Sequence, residues 1–147
     1  MRCAPVAPMP ADDVPIAVAT LVGRRCASSG APWEPAAGYS RAVRSGAHIA
    51  VSGTVGLNPD RSYPPTVGAQ TRRALEIIRA AVVALGGTLE QVIRTRLFVT
   101  DITRAAEAMA VHGEFFRDVR PACTLVEVRR LIDDRALIEI EADAIVA

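Results

Sequence analysis

Few side chains of this 147-residue sequence combine a reactive group with a setting that could use it. Glu139 lies in the apolar segment LIEIEADAIV, and a carboxyl group shielded from water can have its pKa raised toward the working pH, as a general acid or base requires. The alternative role for Glu139 is a structural ion pair with an arginine across a sheet. Cys123 carries a thiol, but no neighbouring lysine, histidine or helix terminus would lower its pKa. It is either a nucleophile or a residue that lines a cavity.

Other polar candidates also have structural interpretations. Ser52, in the segment VSGT, either orients a ligand or water through its hydroxyl or belongs to a turn at the end of a strand. His112 lies beside an apolar helical stripe without Asp or Cys at ligand spacing, which predicts a surface or interface histidine. Cys3, Cys26 and Cys123 fit neither a disulfide framework nor a zinc site. The sequence therefore predicts no metal.

Composition excludes several classes of partner. Seventeen basic residues oppose sixteen acidic ones, and they are scattered rather than gathered into a patch that could follow a phosphate backbone. An aromatic content of 4% leaves few rings on which bases could stack. The start of the chain, MRCAPVAPMPADD, lacks the apolar run of a secretory signal, and no later run approaches the ~20 residues of a membrane span. We expect a cytoplasmic protein that handles a small molecule, not a nucleic acid or a membrane.

Periodicity defines the elements that must position these residues. We interpret residues 1–37 as an N-terminal segment of uncertain order and residues 38–147 as one domain. The predicted elements are strands at 39–44 and 48–52, a helix at 71–85, a strand at 91–100, a helix at 103–117, and strands at 122–129 and 137–146. Two helices for five strands predict an α+β fold in which the helices cover one face of a mixed sheet.

The second face of this sheet is predicted to be charged. Alternation separates Ile93, Thr95, Leu97 and Val99 from Arg94, Arg96 and Phe98, and it separates Ile138, Ile140 and Ala142 from Glu139, Glu141 and Asp143. Such a face either packs against other copies of the chain or is solvated. We favour packing, because Phe98, Leu125 and Leu137 would be poorly placed in open water.

Several of these segments resemble a known family. Tyr39, VSGT (51–54), GEFF (113–116), RPACTLVEV (120–128) and LIEIEADAIV (137–146) are similar, in order and spacing, to the Rid family of reactive intermediate deaminases, also called YjgF-type or endoribonuclease L-PSP. The resemblance implies a chorismate-mutase-like fold, a homotrimer with the sheets packed toward its centre, and clefts between subunits that receive small molecules. It implies no cofactor.

The resemblance also assigns roles to single residues. It implies that Glu139 positions the water that hydrolyses an imine or enamine, and that Tyr39 places its hydroxyl in the cleft, although Tyr39 could equally be a wall residue. The arginine with which the family holds the substrate carboxylate is replaced by Cys123. Met109 stands where well-known members have an asparagine. Arg120 either reaches the cleft or fixes subunits together.

Three functions follow as hypotheses. The leading one is a Rid-like enzyme that uses Glu139 and water to hydrolyse or tautomerise a reactive imine or enamine, with altered substrate choice because a thiol at position 123 cannot grip a carboxylate as a guanidinium does. The second is a noncatalytic trimer that binds a ligand or partner. Ribonuclease action is the weakest, since no paired His/Lys constellation is present.

Overall fold

The structure, a computed structural model, describes residues 14–147. Cys3 and the first part of the segment 1–37 lie outside these residues. The elements are β1 (Ala17–Leu21), β2 (Arg24–Ser28), α1 (Trp33–Ala37), β3 (Ala42–Ser45), β4 (His48–Val55), α2 (Val67–Ala84), β5 (Val92–Val99), α3 (Ala105–Phe116), β6 (Ala122–Glu127) and β7 (Ile138–Ile145). The five strands and two helices expected from periodicity are all present.

The strands form one mixed sheet in the order β1-β2-β3-β4-β7-β5-β6. All neighbours are antiparallel except β5 and β6, which are parallel and joined through α3. Buried side chains of α2 and α3 share a single core with those of the central strands. The α+β prediction, with helices on one face of a mixed sheet, is confirmed. The predicted trimer packing is not visible in a single chain and stays a prediction.

Helix α2 shows why the core forms where it does. Thr66 caps it by accepting a hydrogen bond from the Ala69 amide at 3.1 Å, and its buried stripe, which includes Leu75 and Ile78, packs on the sheet. Gly86, in a left-handed conformation with φ of 84°, lets the chain leave the helix. No helix of residues 14–147 is both long enough and apolar enough to cross a membrane.

The sheet extends beyond the predicted strands at its N-terminal side. β1 and β2 form a hairpin around Val22 and Gly23, which both have positive φ, and β2 pairs with β3. Within the N-terminal segment of uncertain order, Ala17–Leu21 and Arg24–Ser28 are therefore strands. Residues 14–37 therefore contribute to the same sheet as the predicted domain at 38–147.

The prediction that side chains alternate between the two faces of the sheet is correct for β7 but only partly correct for β5. Glu139, Glu141 and Asp143 point away from the helices, between buried neighbours. On β5, an irregularity in the pairing with β7 turns Ile93 outward, and its side chain is 51% exposed. The expectation that Leu125 and Leu137 lie on the charged face is wrong, because both pack against the core. Phe98 does lie on that face.

Gln70 connects two loops at the end of the sheet. Its amide Nε2 donates to the carbonyls of Pro64 and Arg135, each at 3.0 Å, and its Oε1 accepts from the Leu137 amide at 2.8 Å. The side chain is only 1% exposed. It therefore fixes the loop that precedes α2 to the loop that precedes β7.

We expect Gln70→Leu to lower the free energy of unfolding by about 2–4 kcal/mol, because three backbone groups lose their partner while staying shielded from water. Urea unfolding followed by circular dichroism measures the change. Arg72→Leu, on the exposed side of the same helix, is the matched control and should cost less than about 1 kcal/mol. Equal losses in the two variants would contradict this role.

Candidate functional site

A β-bulge in β4 shapes the site. Val51 pairs with Ala142 and Thr54 with Ile140, so that Ser52 and Gly53 together stand opposite one residue of β7. The strand does not end at Gly53, as the sequence suggested, but continues to Val55. The Ser52 hydroxyl donates to the Ser40 carbonyl at 2.7 Å and thereby ties the bulge to the start of β3.

Glu139 lies directly against the bulge. A Cβ atom built on Gly53 would be only 1.9 Å from Oε1 of Glu139, so the carboxylate occupies the space that this glycine leaves free. Glu139 makes no hydrogen bond or ion pair within residues 14–147, and its side chain is only partly exposed. The carboxylate is therefore held in a notch but keeps its lone pairs available.

The surroundings of Glu139 favour its neutral form. Burial raises the pKa of the Glu139 carboxyl, Glu141 on the same strand raises it further, and the positive charge of Arg41 partly opposes both effects. A carboxyl group whose pKa is raised in this way can take up and release a proton nearer to neutral pH than an exposed one. Within residues 14–147 the structure shows no ion pair between Glu139 and an arginine, and the acid–base role stays a prediction.

Arg41 is the buried cation of this region. Its Nη1 donates to the Gly53 carbonyl at 2.6 Å and to Thr54 Oγ1 at 3.0 Å, and its Nε lies 3.7 Å from Oε1 of Glu34. Its guanidinium also lies 5.8 Å from the centre of the Tyr39 ring. Tyr39 is therefore on the Arg41 side of the site, with its ring partly exposed. No motif in the sequence marks Glu34 as a site residue.

Tyr63 is a second residue that sequence analysis missed. Burial raises the pKa of its hydroxyl, and the negative charges of Asp133 and Glu139 act in the same direction against the opposing charge of Arg135. The Arg135 guanidinium covers the Tyr63 ring at 5.0 Å and is paired with Asp133 at 2.7 Å. That pairing holds the pKa of Asp133 down at about 2. The sequence showed only a proline-rich loop here.

The open face of the sheet carries the predicted charges. Arg96 lies 3.4 Å from Glu141 and 3.2 Å from Asp143, and His48 contacts Asp143 at 3.3 Å. Phe98 is in register with Glu139 and places an aromatic ring beside it. Within residues 14–147, no three His, Cys, Asp or Glu side chains are grouped as metal ligands would be.

Cys123 is not beside Glu139 within one chain. Cys123 is in register with Thr95, whose side chain faces the helices, whereas Glu139 is on the open face. β5 also lies between the strands that carry them. Because facing alternates along strands, a single copy cannot bring the thiol and the carboxylate into one cavity.

Met109 and Arg120 lie at the α3 side of the molecule. Met109 is 39% exposed on α3, one turn before His112. Arg120 follows the helix with a positive φ of 54°, and its Nε donates to the Arg117 carbonyl at 3.3 Å. Because α3 packs on the face of the sheet opposite to Glu139, Met109 is separated from that carboxylate by the sheet.

His112 is a core residue, not the surface or interface residue that was expected. It is 6% exposed, its Nε2 is hydrogen-bonded to Thr95 Oγ1 at 2.9 Å, and its ring packs on Phe116. Burial lowers the pKa of the imidazole and favours its neutral form.

Comparison with known proteins identifies relatives along most of the chain. Residues 29–146 match the family model described as Endoribonuclease L-PSP. A crystal structure of a Mycobacterium tuberculosis member of the YjgF/YER057c/UK114 family is similar, with a TM-score of 0.78 and 46% identity over 84% of this chain and 99% of that one.

Two curated relatives differ in how much their names say. The 2-iminobutanoate/2-iminopropanoate deaminase of Escherichia coli K12 is 36% identical over 73% of this chain and 86% of its own length. An uncharacterised Streptomyces coelicolor protein, SCO2049, is 35% identical over 82% of this chain and 90% of its own. The match to the family model, over residues 29–146, covers the candidate site.

Proposed function

This chain belongs to the endoribonuclease L-PSP family, also called the YjgF or Rid family, and on that premise we propose that it hydrolyses or tautomerises a small reactive imine or enamine. A relative bears the name of a 2-iminobutanoate/2-iminopropanoate deaminase, which favours deaminase-type chemistry. No cofactor enters the proposal. The observation that carries it is the Glu139 carboxylate, which lies in the Gly53 notch without a partner in the described chain.

The proposed hydrolysis needs one base and one water. The Glu139 carboxylate accepts a proton from water while the water oxygen bonds to the imine carbon. The carboxyl group passes this proton to the imine nitrogen, which gives an amino alcohol. It then transfers the proton of the new hydroxyl group to the same nitrogen, so that the C–N bond breaks, ammonia leaves and the carbon becomes a carbonyl. For an enamine, the same carboxyl group first delivers a proton to carbon and removes one from nitrogen.

The described arginines near Glu139 support an altered substrate choice. Arg41 donates to backbone and hydroxyl groups, Arg96 is paired with two carboxylates, and Arg135 is paired with Asp133. None of them presents a free guanidinium fork to a ligand carboxylate, and position 123 holds a thiol. We propose that the substrate is an imine or enamine that needs no carboxylate clamp.

The proposed working form is a homotrimer with clefts between its subunits. Glu139 and Cys123 face opposite sides of the sheet, so a cleft that contains both requires a second copy. In that arrangement Tyr39, Ser52 and Glu139 would come from one protomer, and Cys123, Met109 and Arg120 from its neighbour.

We expect the protein in dilute solution to have three times the 15.6 kDa mass of the chain. Light scattering coupled to size exclusion measures this mass. A monomer at concentrations that support activity would contradict the shared cleft, because Glu139 would then face bulk water.

The function itself is tested by generating imines in place. An amine oxidase supplies imines without a carboxylate, an amino-acid oxidase supplies 2-imino acids, and ammonia release is followed in both. We expect the protein to accelerate hydrolysis of the first class more than that of the second. Saturable binding of the same compounds without any acceleration would favour the noncatalytic alternative, which the loss of arginine at position 123 also favours.

A further inference from the structure

We propose that Arg41 is a positioning residue for Glu139, and that Glu34 of helix α1 keeps Arg41 in place. The inference rests on the proposed role of Glu139 but extends to residues outside the last strand. It gives the short helix α1 and the end of β2 a part in the chemistry, through a relay of contacts from Ser29 to Gly53.

The first contact of this relay is between Arg41 and the bulge. Arg41 is 7% exposed, and its guanidinium donates to the Gly53 carbonyl at 2.6 Å. This hydrogen bond holds Gly53 in place, and the absence of a Cβ atom on Gly53 makes room for the Glu139 carboxylate. A hydrogen bond from a charged donor is stronger than one between neutral groups. Displacement of Arg41 would therefore free the bulge to move and the carboxylate with it.

The second contact holds Arg41 itself. Glu34 is 3% exposed, and its Oε1 accepts from the Ser29 amide at 3.1 Å and the Ser29 hydroxyl at 2.6 Å while facing Nε of Arg41. Ser28 donates its hydroxyl to the other oxygen of the carboxylate. A buried ion pair stabilises a fold little, because desolvation offsets attraction, but removal of one partner leaves an uncompensated buried charge. The pair between Glu34 and Arg41 therefore contributes more to holding the guanidinium in one position than to the free energy of unfolding.

The positive charge of Arg41 also acts on Glu139. The charged and titratable groups that act on Glu139 are Glu141 from its own strand, Arg41 from the start of β3, and Tyr63 from the loop before α2. Beyond them, Arg96 is engaged with Glu141 and Asp143, and Arg135 with Asp133. Arg41 is the group among these that favours the ionised carboxylate. Its loss should make Glu139 harder to deprotonate.

The experiment follows the Glu139 carboxyl directly. Protein labelled with carbon-13 at glutamate side chains is titrated by NMR, with Glu139→Gln to assign the signal, and kcat and KM are measured across pH on a carboxylate-free imine. The variants are Arg41→Met, Arg41→Lys and Glu34→Gln. Arg72→Met, which removes an exposed ion pair with Glu114, is the matched control.

We expect Arg41→Met to shift the Glu139 titration and the acid limb of kcat/KM toward higher pH, and to lower kcat roughly tenfold through misplacement of the carboxylate. Glu34→Gln should lower kcat in the same direction with a smaller shift. Arg41→Lys keeps the charge but not the fork, so it should lower kcat while the titration stays near that of the unmodified protein. Arg72→Met should change neither quantity.

Unchanged titration and kcat in Arg41→Met would overturn the inference. If Arg41→Met does not fold, Arg41→Lys decides the matter, since unaltered kcat in that variant would show that the guanidinium fork positions nothing. The NMR titration requires no turnover. Absence of activity in the unmodified protein would therefore remove the proposed function while the shift in the Glu139 titration still tests the relay.

Discussion

Replacement of Glu139 by glutamine is expected to reduce kcat for every accepted imine by at least about 100-fold, the lower end of what a positioned acid or base contributes. Glutamine has nearly the shape of glutamate and fits the Gly53 notch, but it cannot accept the proton of the attacking water. The loss should appear in kcat more than in KM, because the proton moves only in the transition state. Ammonia release from imines generated in place measures both.

The same variant should not be less stable. Because folding raises the pKa of Glu139, its contribution to stability is complete below the unfolded pKa and is lost as pH rises through the folded pKa. Glutamine does not undergo this loss, so at neutral pH the variant should unfold at the same or a higher urea concentration. Glu141→Gln, which removes a different carboxylate from the same face of the sheet, is the control and should retain most activity. Full activity in Glu139→Gln would refute the mechanism.

The sequence predicted the parts of the fold that depend on periodicity. Helix α2 was visible because its apolar residues recur at helical spacing, and the facing of Glu139 followed from strict alternation along β7. The exposure of Ile93 could not be predicted, because an irregularity in strand pairing interrupts alternation without leaving a mark in composition. The position of His112 was predicted wrongly because its partner, Thr95, comes from β5, which is distant from α3 in sequence.

The candidate site was predictable only where a motif carried it. Glu139 came from the resemblance of the last strand to a family, whereas its environment comes from residues that are distant in sequence. Glu34 precedes the strands that the resemblance covers, and Tyr63 lies in a loop that Gln70 fixes by tertiary contacts. Gly53 was interpreted as the end of a strand, since a bulge and a turn both use glycine. Only the register distinguishes them.

Cys123→Arg is the second change with a large expected effect, and it should act on substrate choice rather than on the chemical step. In the proposed trimer, position 123 lies in a cleft opposite the Glu139 of a neighbouring copy. An arginine there would offer charged donors to a substrate carboxylate, and the net gain of one such hydrogen bond, after desolvation offsets the rest, is about 1.5–3 kcal/mol. We expect kcat/KM for 2-imino acids to rise by roughly 10- to 100-fold, at about tenfold for each 1.4 kcal/mol.

The substrate panel separates this gain from a general increase in activity. Imines without a carboxylate should gain nothing from Cys123→Arg and should bind more weakly if the new charge must be desolvated beside them. Cys123→Ser is the matched control, because it replaces the thiol with another small polar group and should leave both substrate classes near their original rates. Combination of Cys123→Arg with Glu139→Gln should abolish the gain. If the trimer is intact and 2-imino acids still gain nothing, position 123 does not face the substrate, and the shared cleft is assembled from other residues.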